Sequence, residues 1–243
     1  MRTRTGLLVA AAACAAAFTG GAWAQLAPGF DAALMAGERP AEEKERDASR
    51  MPADVLNFVG IGEGMTVLEV FAGGGWYTEV LSAAVGQEGM VYSQNAARFQ
   101  ERVGEMAAAR AERLGNVEVI YTEGMAIDLP APADAAFTAL NLHDMANRGD
   151  EAGLGFLGGI YDALAPGGAL GIVDHTGSAG QDNAELHRME PSKARELLTQ
   201  AGFVVEAESD ILMNADDDHT LGIRDPSLRF ETDRFLIRAR KPE

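Results

Sequence analysis

The sequence predicts an α/β fold: a doubly wound, mostly parallel sheet of seven strands with helices on both faces. Three observations predict it. Apolar runs of strand length alternate with helical patterns from Thr66 to about Glu208. These runs are short, and several are rich in β-branched residues, as strands buried on both faces are. Three glycines, Gly73, Gly74 and Gly75, separate the first run from the helical pattern that follows it.

Taken in order, residues 25–37 read as a loose leader, and the charged stretch 39–59 as two short helices. Pro40 and Pro52 each suit a helix first turn, and the second helix would bury Val55, Leu56 and Phe58. The first strand covers 66–71. A turn at 86–89 leads to a second strand at 90–94, and 96–114 is an alanine-rich amphipathic helix stopped at Gly115. Strands at 117–122 and 134–142 flank a Pro/Ala-rich loop. A glycine-diluted helix at 151–164 ends in the turn APGG, residues 165–168, before a fifth strand at 169–173. A helix at 191–200 closes at Gly202, and 203–208 and 235–239 supply the last two strands. The expected organisation is a leader at 1–24, helices within 25–60 and one domain over 61–243.

The leader has the form of an export signal. Arg2 and Arg4 give a basic start, residues 6–18 a small apolar core, and Ala22-Trp23-Ala24 a cleavage pattern before Gln25. That implies a periplasmic or secreted protein. A lipid anchor on Cys14, the single cysteine, would want a bulkier residue three positions earlier than the alanine found there. Cleavage after Ala24 removes that cysteine, so no disulfide supports the remaining chain, whose size suffices for a core without one. It also takes the formal net charge from −17 to −19. Such a chain repels nucleic acid and anionic membranes. No stretch after the leader approaches the ~20 apolar residues of a membrane span. Nothing in the sequence indicates an oligomeric state.

A glycine turn between strand and helix lets a ligand lie against bare backbone while the helix N-terminus points its N–H groups at it. That suits a nucleotide-type cofactor; a tight β-to-α turn with no ligand is the competing reading. Read together, VLEVFAGGGWYT (67–78), LHD (142–144), LAPGGALGIVDH (164–175) and a final strand resemble the class I S-adenosylmethionine-dependent methyltransferases over nearly all of the chain after the leader. GGGWYTE, the DH at 174–175, LHR (186–188) and ADDDH (215–219) resemble, more narrowly, exported bacterial proteins labelled predicted methyltransferases.

The resemblance implies a Rossmann-like methyltransferase fold with the last strand antiparallel, S-adenosylmethionine as cofactor and a small-molecule acceptor. It implies that Glu69 and the backbone at Gly73 and Gly75 hold the cofactor's amino-acid end, with Leu142 also on the cofactor side. The chain departs from the family pattern at three positions. Phe71 stands where the first motif glycine falls, Asn95 where an acid grips the ribose hydroxyls, and Met125 where an aspartate lies near the adenine amino group. Asn95 can accept a hydrogen bond, though not the stronger charge-assisted one.

All four histidines, His143, His175, His187 and His219, fall in segments following strands, at the expected carboxyl edge of the sheet, with Asp144, Asp174, Asp182 and the run 216–218. In one reading His143 or His175, with Asp174, is a general base toward an oxygen or nitrogen nucleophile. In a second, Asp144, Asp174 and His175 hold a divalent metal that orients a hydroxyl-bearing substrate, although no compact ligand motif such as HExxH is present. In a third, Asp174 and His175 only end a strand and His143 packs beneath the cofactor. Trp76 and Tyr77 suit either stacking on a planar substrate or core packing. Arg46, Asp47 and Arg50 suit either a ligand or a solvated ion-paired face. Residues 183–188 and 211–233 read as a lid, with Arg188, Arg224 and Arg229 as basic candidates for an acidic substrate. The expected function is methyl transfer to a small molecule. A non-catalytic exported binding protein that kept the fold, and a metal-dependent enzyme at the Asp/His edge, are the alternatives.

Overall fold

The computed structural model describes residues 24–35 and 39–243. Most of the expected leader, with Cys14, lies outside the described residues. Among the described residues, four short helices precede the sheet: α1 Phe30–Met35, α2 Ala41–Lys44, α3 Asp47–Arg50 and α4 Pro52–Val59. The stretch expected to be loose therefore contains a helix, because Phe30 and Leu34 share one face and are buried against α5 (Trp76–Val85). The charged stretch forms three helices instead of two: Met51 takes a left-handed backbone, φ 43°, that ends α3 and lets Pro52 start α4.

Seven strands follow: β1 Thr66–Val70, β2 Met90–Ala96, β3 Val117–Thr122, β4 Ala133–Ala139, β5 Leu164–His175, β6 Val204–Ser209 and β7 Arg234–Arg240. Their order in the sheet is β3-β2-β1-β4-β5-β7-β6. The pairs from β3 to β5 are parallel, and β7 runs antiparallel to both of its neighbours. The last strand is thus inserted between β5 and β6. Along β1, Val67 packs into one core layer with α1, α4 and α5, while Leu68 and Val70 pack into the other with α8 (Asp150–Ala163) and α9 (Pro191–Gln200). Alternation of faces on a strand buried on both sides gives the continuous apolar run seen in the sequence.

Three boundaries differ from expectation. β4 stops at Ala139, Leu140 turns with φ 63°, and Leu142 and His143 open a short helix, α7 Leu142–Ala146. β2 continues to Ala96, so Asn95 is a strand residue, and a 3-10 turn at Ala97–Phe99 precedes α6 Gln100–Leu114. APGG belongs to β5 as an irregularity: Ala133 pairs with Leu164 but Ala135 with Ala169. The same strand runs on to include Asp174 and His175.

The direction of winding reverses between β1 and β4. Loops leaving the carboxyl ends of these strands part there and leave a crevice.

Candidate functional site

A cavity of about 390 Å³ occupies that crevice, bordered by Glu69, Phe71, Gly73, Arg50, Met106 and Asn141. Gly73 has φ 57°, and a Cβ added to it would meet nothing within 4 Å, so its open side faces the cavity. Gly75, φ 82°, opens α5 beside Arg110, whose Cδ lies 2.9 Å from where a Cβ would stand. One glycine thus leaves room for a ligand and the other for a neighbouring side chain. Arg110 is held by Glu43 at 2.6 Å and Glu79 at 2.7 Å, tying α2, α5 and α6 together.

Glu69 is buried, and its Oε2 accepts a 2.5 Å hydrogen bond from the Thr78 hydroxyl. Burial raises its pKa to about 7 against the opposing pull of Thr78, Arg110 and Arg50. Arg50 lies 4.6 Å over the Trp76 ring, and burial lowers its pKa to about 10, so it stays charged at neutral pH. Trp76 and Tyr77 are both core residues; Trp76 Nε1 donates to the Glu43 carbonyl at 2.8 Å, and the Tyr77 ring lies 4.5 Å from Phe137. Asp47 forms a two-bond ion pair with Arg39.

Phe71 and Asn95, two of the departures from the family pattern, serve the loop. Phe71 takes φ 55°, a conformation glycine adopts more easily, and its N–H donates to Gln94 Oε1 at 3.0 Å. Gly73 N–H donates to Asn95 Oδ1 at 2.9 Å. The Asn95 Nδ2 is buried with no hydrogen-bond partner. Neither Met125 nor Leu142 lines the cavity: Met125 is half-buried against the core, and Leu142 is wholly buried in it.

Next to this cavity lies a smaller one of about 140 Å³, formed by His175, Ile223, Leu228, Phe230 and Thr232. Arg50 and Leu140 line both, so they stand between the glycine loop and His175. His175 is buried, with Nδ1 2.9 Å from the Thr232 hydroxyl, and burial pushes its pKa down to about 3. It is therefore a neutral imidazole at neutral pH. A wider groove of about 450 Å³ beside Asp210, Met213 and Phe235 contains no histidine.

Asp174 organises the histidine edge from wholly inside the protein. It accepts the His143 Nδ1–H at 2.6 Å, the His143 backbone N–H at 2.8 Å and the His175 backbone N–H at 2.8 Å. Burial pulls the His143 pKa down, but Asp174 and Asp144 outweigh it and Arg224, and the net shift is upward. The rings of His143 and His175 lie 5.6 Å apart, and those of His143 and His187 6.0 Å apart. His143 lies in a helix and His175 within a strand, so the histidines are not confined to loops. The trio suggested by sequence for a metal, Asp144, Asp174 and His175, is not the one that converges. Among the described residues His143, Asp144 and His187 bring their donor atoms within 4.8 Å of one another.

The two segments expected to form a lid pack on each other. Arg188 is fully buried, donates to the carbonyls of Thr176 and Leu221 and pairs with Asp217 at 2.9 Å, so it faces no substrate. Ser178 and Asp233 hold the two ring nitrogens of His219 at 2.7 and 2.9 Å, clasping 211–233 to the end of β5. Arg224 and Arg229 are exposed, and the Arg229 guanidinium lies 4.8 Å over Phe230. Asp182 caps the turn before His187, accepting the Glu185 N–H at 3.1 Å.

A reversing parallel sheet, a glycine loop at its switch point and a buried acid at the end of β1 define a domain built for a nucleotide-type cofactor. The sequence profile of the protein-L-isoaspartate(D-aspartate) O-methyltransferases matches residues 31–142. The Protein-L-isoaspartate O-methyltransferase of Thermotoga maritima is 36% identical over 69 residues, a match spanning 28% of this chain and 21% of that protein. A SAM-dependent methyltransferase from Aquifex aeolicus superposes with a TM-score of 0.58 at 27% identity, covering 84% of this chain and all of that one. The fold of the Burkholderia thailandensis 1,6-didemethyltoxoflavin-N1-methyltransferase, solved with 1,6-didemethyltoxoflavin and S-adenosylhomocysteine, matches at 20% identity and TM-score 0.57, covering 84% of this chain and 82% of that one. The chain has the fold of the class I S-adenosylmethionine-dependent methyltransferases and is similar to them in sequence over residues 31–142.

The residues present fit that cofactor. The cavity is of ligand size, Gly73 leaves its backbone bare toward it, and Asn95 keeps an unused donor behind the loop. Gln94, Thr78 and Thr232 were not singled out from sequence. A buried Gln-Asn pair ending a strand beside a glycine loop was the available signal for Gln94; Thr232 carried none, since 57 residues separate it from His175.

Proposed function

We propose that this protein transfers a methyl group from S-adenosylmethionine to a small molecule. The observation that carries this reading is the pair of adjoining cavities sharing Arg50 and Leu140, one against the glycine loop and the other against His175. The donor, when bound, supplies an activated sulfonium methyl group. Glu69 would hold its ammonium as a carboxylate, Gly73 would admit it to the backbone, and Asn95, whose Oδ1 holds the Gly73 N–H, would stand on its ribose side. The acceptor would lie in the smaller cavity, oriented by apolar contact with Leu228 and Phe230. Neutral His175, with Nδ1 on Thr232, can orient a hydroxyl or amine there through Nε2; its low pKa suits it to hydrogen bonding the acceptor more than to taking its proton. Asp174 positions both His143 and the backbone of His175. Positioning supplies most of the rate, since the methyl donor is already activated. The basic start and the Ala22-Trp23-Ala24 pattern support a periplasmic or secreted location.

Two steps test this: calorimetric titration of the protein from Gln25 onward with S-adenosylmethionine, then a mass-spectrometric methyl-transfer screen over hydroxyl and amine acceptors. Micromolar donor binding and a methylated product lost in His175→Ala are expected; donor binding without product on any acceptor class counts against catalysis.

A second reading has its own observation. The N–H groups of Phe71 and Gly73 are already satisfied by Gln94 and Asn95, which reduces what the loop offers a cofactor. A binding protein that kept the fold would show no affinity for the donor up to millimolar concentration.

A further inference from the structure

We propose that His143, Asp144 and His187 form a binding site for a divalent transition-metal ion of the zinc class, a site that does not depend on the methyl-transfer reading. Asp144 Oδ1 lies 3.5 Å from His143 Nε2 and 3.2 Å from His187 Nδ1. Ligands at about 2.0–2.1 Å from a tetrahedral ion stand about 3.3 Å from one another; both contacts to Asp144 are near that spacing, and all three donors lie within 4.8 Å of one another.

The support behind the ligands has the form that metal sites need. Asp174 accepts a hydrogen bond from His143 Nδ1–H at 2.6 Å, which leaves Nε2, 3.5 Å from Asp144, to serve as the ligand atom. Both Asp174 oxygens are occupied by that contact and by two backbone N–H groups, so Asp174 orients a ligand and does not act as one. His175 turns away, with Nδ1 on Thr232.

His187 is brought to the site at a backbone cost. Its φ of 54° is unusual for a residue with a side chain, and such conformations persist where the surroundings enforce a particular orientation. Neighbouring Arg188 provides that enforcement through Asp217, and Asn147 donates to the Asn183 and Arg188 carbonyls at 3.3 and 3.1 Å. The side chains of Asp144 and His187 are 46% and 34% exposed, which leaves coordination positions for water or a ligand oxygen. Asp144 and Asp174 together offer two negative charges to a divalent cation. Arg224 opposes them, but from an exposed side chain screened by solvent. A mixed imidazole and carboxylate set suits zinc or cobalt better than magnesium or calcium. Bound there, the ion would pin the loop 183–188 to α7 beside the smaller cavity.

The test is calorimetric titration of the untagged full chain, dialysed against chelator, with Zn²⁺, paired with the visible absorption of the Co²⁺ form. One equivalent binding at micromolar concentration or tighter is expected, with cobalt bands of four- or five-coordinate intensity. His187→Ala, half-exposed and therefore tolerated by the fold, should weaken Zn²⁺ at least tenfold at unchanged circular dichroism, and Asp144→Asn should do likewise. Asp216→Asn, at an exposed carboxylate of the neighbouring segment 211–233, should leave affinity unchanged. The proposal is overturned by no saturable binding below 100 µM, or by affinity that neither substitution alters. If His187→Ala does not fold, Asp144→Asn alone decides by the same criterion.

Discussion

The glycine loop and the histidine edge are both lined up along the carboxyl ends of the strands, yet they are built in opposite ways. The loop comes from one uninterrupted stretch, β1 through the start of α5, with two side chains of β2 reaching over to hold Phe71 and Gly73. The histidine edge draws on α7, the end of β5, the loop 183–188 and Thr232, tied by contacts that span 31, 43 and 57 residues. At its centre is a wholly buried carboxylate with three donors, whereas the loop's own acid, Glu69, sits against a cavity with one hydroxyl partner. The difference teaches that one half should fail by losing its ligand, and the other by losing its fold.

The largest effect should come from Asp174→Ala. It strands three buried donors, so urea unfolding should show a loss of about 3–5 kcal/mol. An equally stable variant would dissolve the contrast between the halves.

On the loop side, Gly73→Val should leave the protein folded. Its left-handed backbone costs about 1–2 kcal/mol. Its side chain would fill the open side of the turn, and affinity for S-adenosylmethionine by calorimetry should fall at least tenfold.

Acid titration separates the halves again. The folded-state pKa of His175 is lowered to about 3, so the unfolded chain takes up its proton first as pH falls below its ordinary value. The stability linked to neutral His175 is complete above about pH 6.5 and is lost as pH falls toward 3. His143 is shifted upward and works in the opposite sense. Melting temperature measured from pH 7 to pH 4 should therefore decline less steeply in His175→Gln than in the parent; parallel curves would remove His175 from the account.

Glu69 should show itself in binding. With its pKa raised to about 7, the carboxylate that a cofactor ammonium needs becomes dominant only above neutrality. Donor affinity should rise by about fivefold to tenfold between pH 6 and pH 8. Glu69→Gln should flatten that rise.

The smallest change expected is a gain. Asn95→Asp keeps the acceptor for Gly73 N–H and removes the stranded Nδ2. A charge-assisted bond to the ribose should improve donor affinity by about 1 kcal/mol, roughly fivefold. A loss instead would mean that the Nδ2 donor is what the ligand uses.

How much of this was legible in the sequence differs by region. The strand cores, the helices at 52–59, 151–163 and 191–200 and the glycine turn were readable because periodicity and turn chemistry are local. The helix at Phe30–Met35 was not, since its two buried side chains, Phe30 and Leu34, acquire meaning only against α5. The end of β4 was misread because Leu140 and Leu142 prolong an apolar run, while a left-handed turn at Leu140 sends the chain into α7. The polar residues of the carboxyl edge were gathered correctly as a group but not sorted into roles. Arg188 looked like a candidate for substrate and is a buried ion pair; His187, noted only for its place, meets Asp144.

The sequence by itself determined the alternating α/β order, the acidic balance and the glycine turn, because each depends on neighbours along the chain or on composition. Only the tertiary structure decided that Gln94 and Asn95 close the loop, that Asp174 holds His143 from behind, and that β7 enters between β5 and β6. Those outcomes depend on which buried donor finds which acceptor across 22 to 31 residues or more, and pattern along a chain does not encode that choice.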